Sequence, residues 1–464
     1  MSGSELSREE LLALVEQQAR VIEALTARVA ELERQLGRNS RNSSQPPSAD
    51  GPAVPNRAAR RRGSRKPGKQ PGAEGRSLGI VADPDEIVEH VPSSCGGCGA
   101  GLAEALAEGV VRRQVHDIPR ITARVVEHRL HRMRCRCGHR TCAAAPAGVG
   151  APTSYGPNLR ALAAYLVVYQ HVPVARAAQL IADVTGARPS TGWITSVLAP
   201  TAAAVAPTNT AILDLLRTAD VLHVDETSSN ITGIRWWLHV ACTPLLTAYH
   251  LHRSRGRVAV TEFDVLPEFR GTLVHDSLAL YDAYDQARHA LCGAHLVREL
   301  TAAVEAHPDK VWPAQAIRAL HGLNTAAHHA HQQGLLQIPP EIADPLHRSF
   351  RHAVIVGLAE HPRRAGTRQS TTRNLLQRLA ARFEQVVLFA RDLAVPFTNN
   401  QAERDLRPTK TQLKISGCHR SADTARDWLA IRGYISTARK HGHNILAALR
   451  DAITGNPWMP PLAA

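Results

Sequence analysis

Two short apolar runs that each end in an aspartate constrain the fold more than any other feature of the 464 residues. Val221-Leu222-His223-Val224-Asp225 and Gly271-Thr272-Leu273-Val274-His275-Asp276 are rich in β-branched residues and too short for helices, so both read as buried strands. Between them, residues 235–242 and 246–252 read as a hairpin, and residues 258–266 as a helix. The order is therefore strand, hairpin, helix, strand, with an acid closing the first and the last.

A third acid follows much later. Residues 397–407 read as a loop and then a helix start, with Glu403 in the first turn. Phosphoryl transfer supported by two cations about 3.5–4 Å apart needs several carboxylates, because magnesium prefers oxygen ligands. Each acid also has a plain structural reading. Asn400-Gln401-Ala402-Glu403 fits a capping box, Asp276 fits the cap of a following helix, and Asp225 fits a surface strand end. The three together, in this order, point by fold analogy to an α/β RNase H-like domain, in which the first and fourth strands are neighbours. Asp282 and Asp285 are the alternative second acids, although as helix residues they should face solvent.

The chain ahead of these strands divides into distinct stretches. Residues 1–38 carry a heptad: Leu11, Val15, Gln18, Ile22, Leu25, Val29, Leu32 and Leu36 alternate in steps of four and three. β-branched residues dominate one seam position and leucine the other, which predicts a parallel two-stranded coiled coil and hence a homodimer, begun by a capping box at residues 7–10. Residues 39–85 cannot form a core and read as a disordered basic linker. Within residues 57–76, Arg57, Arg60, Arg61, Arg62, Arg65, Lys66, Lys69 and Arg76 face one acid, Glu74, and such a tract can lie along phosphates. The whole chain has 55 basic and 41 acidic residues, a net charge of +14. That excess favours a polyanion, nucleic acid before an acidic membrane. An aromatic content of 4% argues against a wide stacking platform for single strands. The opening residues are charged throughout and no uncharged apolar stretch is long enough for a span, so the expectation is a cytoplasmic, nucleoid-associated protein without a membrane segment.

Residues 86–150 read as a zinc-ribbon-like β module. Cys95-Gly96-Gly97-Cys98 and Cys135-Arg136-Cys137 form two knuckles around strand-like residues 121–126, giving four thiolates for one structural zinc ion. His139 and Cys142 lie close enough to replace Cys135 or Cys137. Residues 151–210 read as helical: one helix over 159–170, then 175–184, a turn at Gly186, and 190–198 begun by Ser190, a helix-turn-helix pattern. The catalytic domain spans 211–445, and 446–464 reads as a tail. Arg404 and Arg407 follow Glu403 on its helix and suit phosphate contacts as well as surface ion pairs. Cys292 and His295 form an isolated pair that reads as structural.

Taken together, these stretches resemble the insertion-sequence-66 transposases of bacterial mobile elements, over nearly the whole chain. The resemblance rests on the leucine heptad, the Asn39–Ser48 stretch, the cysteine knuckles, Tyr155-Gly-Pro-Asn-Leu-Arg, His223-Val-Asp-Glu-Thr227, Leu273-Val-His-Asp276 with Tyr281 and Tyr284, Cys292-Gly-Ala-His295, and Asn399-Asn-Gln-Ala-Glu-Arg-Asp-Leu-Arg-Pro408. It implies that Asp225, Asp276 and Glu403 are the catalytic triad, binding magnesium or manganese. It implies a helical insertion at about 292–395, and an enzyme that binds element ends, cuts DNA and joins it to a target, with companion proteins of the element as candidate partners. One departure stands out: the family has Asp-Gly-Tyr at the second acid, whereas this chain has Asp276-Ser277-Leu278. That departure leaves an alternative, a decayed or repurposed copy that only binds ends or regulates transcription.

Overall fold

The computed structural model describes residues 8–37, 39, 42, 78–146, 148–363, 366 and 369–461. The basic tract with Arg60, Arg61, Arg62, Arg65, Lys66 and Lys69, together with Ser7 of the capping box and most of residues 39–48, lies outside the described residues. The chain divides into two compact units, Pro55–Thr122 and the remainder.

In the smaller unit the described chain is extended. A bridge between Ser94 and Gly101 closes the loop carrying Cys95 and Cys98, and the Gln114 amide both donates to and accepts from the Val81 backbone.

The larger unit begins with helix α1 (Arg8–Leu36), whose described seam residues Val15, Ile22, Leu25, Val29, Leu32 and Leu36 are all exposed. Strands β1 (Arg132–Arg134) and β2 (Arg140–Cys142) make a hairpin around the second knuckle. Residues 121–126, expected as a strand, are not one. Their β-branched side chains are exposed, and among the described residues no neighbouring strand satisfies their backbone.

The expected single helix over 159–170 is α2 (Pro157–Ala164) running into a π-helical turn at Tyr165–Tyr169. Helix α3 (Val174–Thr185) stops at Gly186, whose φ of 76° is the left-handed cap that glycine favours. Ser190 then caps α4 (Thr191–Ser196), its Oγ accepting the Trp193 N–H at 3.1 Å. Helices α5 (Leu198–Ala204) and α6 (Ala206–Arg217) follow. No single helix among the described residues is long and apolar enough to cross a membrane.

A five-stranded sheet is the centre of this unit. It comprises β3 (Val221–Ile231), β4 (Ile234–Cys242), β5 (Thr247–His252), β6 (Thr272–His275) and β7 (Arg288–Leu291), in the order β5-β4-β3-β6-β7. Strands β3, β4 and β5 are antiparallel, whereas β3, β6 and β7 are parallel. Strand β3 does not end at Asp225, as its apolar run suggested. It continues through six more, mostly polar residues because each pairs with β4 across a tight turn at Thr232-Gly233.

The period-two pattern divides the core between the two faces of the sheet. Leu222, Val224, Ala241 and Ala248 pack on α6 and on α7 (Arg257–Phe263). Leu238, Val240, Cys242 and Leu251 face the C-terminal helices. After β7 come α8 (Gly293–Ala306), α9 (Trp312–Gln332), α10 (Pro340–Glu360), α11 (Thr371–Ala381) and α12 (Phe383–Arg391), a helical insert around Leu320, Phe350, Leu376 and Val386. The chain then returns to the sheet with α13 (Asn400–Ser416) and α14 (Ala422–Lys440).

Residues after 445 do not form the tail that was expected. Ile445, Ala448, Leu449 and Ala452 recur at helical spacing and are buried on α15 (Ile445–Ile453), which Asn444 caps. The Tyr434 hydroxyl donates to the Ala448 carbonyl and fastens this helix to α14.

Candidate active site

Parallel pairing of β3 with β6 brings the first two acids together. The register matches Val221 with Thr272, Leu222 with Leu273 and His223 with Val274. Two residues further along the same register lie Asp225 and Asp276. Oxygens of Asp225, Glu226 and Asp276 all fall within 4.8 Å of one another, a group able to hold a metal ion. Burial, then the neighbouring charges of Glu226 and Asp276, push the Asp225 carboxyl well above the usual range, and Glu403 adds in the same direction. Three oxygen donors with no thiolate or imidazole among them suit a hard cation such as magnesium or manganese.

The Asp276 turn gives the sequence departure a different meaning. Ser277 has φ 75°, in the left-handed region that favours glycine. Side-chain size is therefore not the issue; backbone conformation is. The Leu278 N–H reaches Asp276 Oδ1 at 3.3 Å, and the Ser277 N–H reaches His275 Nδ1 at 3.2 Å. Asp282 is exposed and paired with Arg382, and Asp285 is also exposed, so neither joins the cluster.

Glu403 stands in the first turn of α13. Its carboxylate does not cap that helix as a capping box would. It lies 3.3 Å from Arg298 Nη2 and 3.9 Å from His295 Nε2, both on α8. Asn399, just ahead of α13, sets where the helix starts. Its Oδ1 meets buried His223 Nδ1 at 2.9 Å, its Nδ2 donates to the Val224 carbonyl at 2.8 Å, and its backbone N–H donates to Cys292 Sγ at 3.1 Å. Gly293 is required beside it: a Cβ there would sit 2.0 Å from the Phe397 ring. The Cys292-Gly-Ala-His295 stretch thus docks the start of α13 against β3. Cys292 is consumed in that contact, and burial pushes its thiol pKa up.

Two residues at the site had no role assigned from the sequence, although both lie in stretches that carry the resemblance. Glu226 is buried and bonded by Arg255 and Tyr281. Asp405, two residues after Glu403, is held by Lys440 at 2.7 Å and by Thr247 and Gln401 at 3.1 Å. Position 405 belongs to the quoted family stretch, but nothing local indicated a partner 35 residues away. Arg404 and Arg407 are exposed on α13 together with Lys410 and Lys414, and among the described residues none of the four has an ion-pair partner.

The cysteine knuckles are each locally shaped for metal. The Gly99 N–H donates to the Cys95 carbonyl at 2.9 Å, and the Gly138 N–H donates to the Cys135 carbonyl at 2.8 Å. Backbone donors, Cys98 N–H first, hold the Cys95 thiol below its ordinary pKa, and Cys137 N–H does the same for Cys135. Cys142 lies on β2, with Sγ toward the Leu130 carbonyl.

Comparison with protein families agrees with this organisation. Residues 152–427 match the Transposase IS66 family. Residues 92–138 match the zinc-finger binding domain of transposase IS66, a stretch that includes Cys95, Cys98, Cys135 and Cys137 and stops before His139 and Cys142. Residues 2–78 match a family of unknown function. Among curated proteins none matches the chain. Since the first match alone covers more than half its length, the chain belongs to the IS66 family of transposases, and it carries that family's zinc-finger region ahead of a mixed-sheet and helical domain.

Proposed function

We propose that this transposase cuts and joins DNA at an RNase H-like, magnesium- or manganese-dependent centre formed by Asp225, Asp276 and Glu403. The observation that carries the reading is the β3–β6 register, which sets two aspartates side by side within ligand reach of one another. Asp225 and Asp276, completed by Glu403, would hold the cations, whose chemistry when bound is to acidify an attacking hydroxyl and offset charge on the phosphate. The chain's own residues do the rest. Arg298 holds Glu403 until it is needed, and Asn399 fixes the start of its helix. Exposed Arg404, Arg407, Lys410 and Lys414 offer a row of phosphate contacts beside the acids. In the reaction, water breaks a phosphodiester at the element end and frees a 3′-hydroxyl. That hydroxyl then displaces a 3′-oxygen in target DNA, without a covalent protein–DNA intermediate.

The supporting assembly is also proposed. Two copies pair through the exposed α1 seam, four thiolates of Cys95, Cys98, Cys135 and Cys137 share one structural zinc, and the basic tract around Arg60–Lys69 lies along DNA. Companion proteins of the element would join at its ends.

Asp225→Asn, Asp276→Asn and Glu403→Gln preserve shape while removing the anionic oxygen. Each should abolish magnesium- or manganese-dependent cleavage and joining of element-end DNA, without additivity, while end binding survives. Asp282→Asn and Asp285→Asn should remain active. An unmodified protein that binds ends but cleaves with neither metal, companion proteins supplied, would favour a DNA-binding role alone.

A further inference from the structure

The catalytic reading leaves one enclosed carboxylate without a task. The Glu226 side chain has no solvent exposure, and one of its oxygens lies within 4.8 Å of ligand atoms of Asp225 and Asp276. Proximity alone would make it a further metal ligand. Its hydrogen bonds argue against that. Oε1 accepts from Arg255 Nε at 3.0 Å and Nη2 at 2.6 Å, and Oε2 accepts from the Tyr281 hydroxyl at 2.7 Å. Both oxygens are engaged. Turning one toward a cation would strand the buried Tyr281 hydroxyl or break a charge-assisted contact with Arg255.

The partners come from opposite sides. Arg255 follows β5 and lies 4.9 Å from the centre of the Trp237 ring on β4. Tyr281 sits five residues past Asp276, on a 3-10 turn spanning Ala279–Ala283. The loop between Asp276 and Tyr281 contains the left-handed Ser277 and carries one of two carboxylates that repel each other. Without a cation, that repulsion favours a wider separation of the two acids. We infer that Glu226 is a positioning residue: through Tyr281 it tethers the Asp276 loop to β3 and keeps the two aspartates within ligand reach of each other. The inference rests on the reading of Asp225 and Asp276 as catalytic acids.

A second anchor works on the other side of Ser277. The Ser277 N–H can only donate, so His275 Nδ1 accepts and His275 Nε2 carries the proton. His275 Nε2 then donates to His289 Nδ1 at 3.1 Å, and His289 Nε2 donates to the Tyr284 carbonyl at 3.0 Å. Backbone groups at both ends thus set the direction of the chain. The loop is gripped ahead of the strained residue by His275 and beyond it by Tyr281. Of the two grips, only the second reaches β3 and the first acid.

Tyr281→Phe cuts the tether without touching any carboxylate, and Glu226→Gln keeps the shape of the side chain. In the full-length protein, both should raise the manganese concentration for half-maximal cleavage of element-end DNA by about tenfold, within the range that residues behind metal ligands exert. Saturating manganese should restore the rate, and the number of manganese ions bound, measured by titration, should stay unchanged. The double variant should be no worse than Tyr281→Phe alone, because both act on the same Glu226–Tyr281 contact, which Glu226→Gln weakens by removing its charge. A merely structural role would lower the melting temperature and leave the manganese curve in place, which would overturn the inference. So would loss of a bound manganese ion in Glu226→Gln, since that makes Glu226 a direct ligand. If Asp225→Asn is inactive while Tyr281→Phe is silent, only the tether fails. Cleavage that survives in Asp225→Asn removes the catalytic reading itself, and the tether with it.

Discussion

At the scale of single residues, Ser277 shows how a departure from a family pattern acquires a cause. A left-handed backbone costs a residue with a Cβ roughly 1–2 kcal/mol, whereas glycine adopts it freely. The conformation persists here because the His275 imidazole and the Asp276 carboxylate hold the two N–H groups that follow. Ser277→Gly should therefore stabilise the protein, by up to about 1 kcal/mol once the greater freedom of glycine in the unfolded chain is subtracted. Denaturant unfolding monitored through the catalytic domain would measure it. An unchanged or lowered midpoint would mean that the turn is not strained.

Among the elements, α13 and α14 are joined at one polar point. Asp405 lies in a buried setting with Lys440, and the same ammonium also donates to the Thr243 and Leu246 carbonyls and to Thr247 Oγ1. Removing one member of a buried pair strands the other. Lys440→Met should cost about 3–5 kcal/mol, and adding Asp405→Asn should return part of that loss in a double-mutant cycle. Additive losses would show that the pair is not coupled. Helix α1 poses the opposite case: the described apolar residues of its seam are exposed. Deleting residues 1–38 should convert dimers to monomers in sedimentation, and an unchanged mass would end the coiled-coil proposal.

For the whole molecule, zinc is the simplest probe of how the cysteine knuckles work. Purified protein should hold about one zinc per chain, released in Cys95→Ser or Cys98→Ser with loss of cooperative folding around residues 90–145. Substituting Cys137, His139 and Cys142 in turn would identify the last ligand. Protein prepared without chelators and free of zinc would dismiss the site. A charge of +14 and, among the described residues, four basic side chains on α13 without an ion-pair partner are what the proposed reading would offer to DNA.

The sequence by itself determined what depends on near neighbours. Apolar runs rich in β-branched residues marked β6 and the start of β3, helical spacing and Ser190 marked the two helices either side of Gly186, and the position of Glu403 in a first turn followed from the loop ahead of it. The same spacing was present in Ile445, Ala448, Leu449 and Ala452, so α15 was legible although residues 446–464 read as a tail. Only the tertiary structure decided what depends on distant partners. The continuation of β3 past Asp225 required β4 to satisfy a polar backbone. The engagement of Glu226 needed Arg255 and Tyr281, 29 and 55 residues away, and the placement of Glu403 needed Asn399 to reach across 175 residues to Val224. Periodicity reports which face of an element is apolar. It carries no information about which buried polar groups will meet, because those pairings exist only once the sheet has brought the segments together.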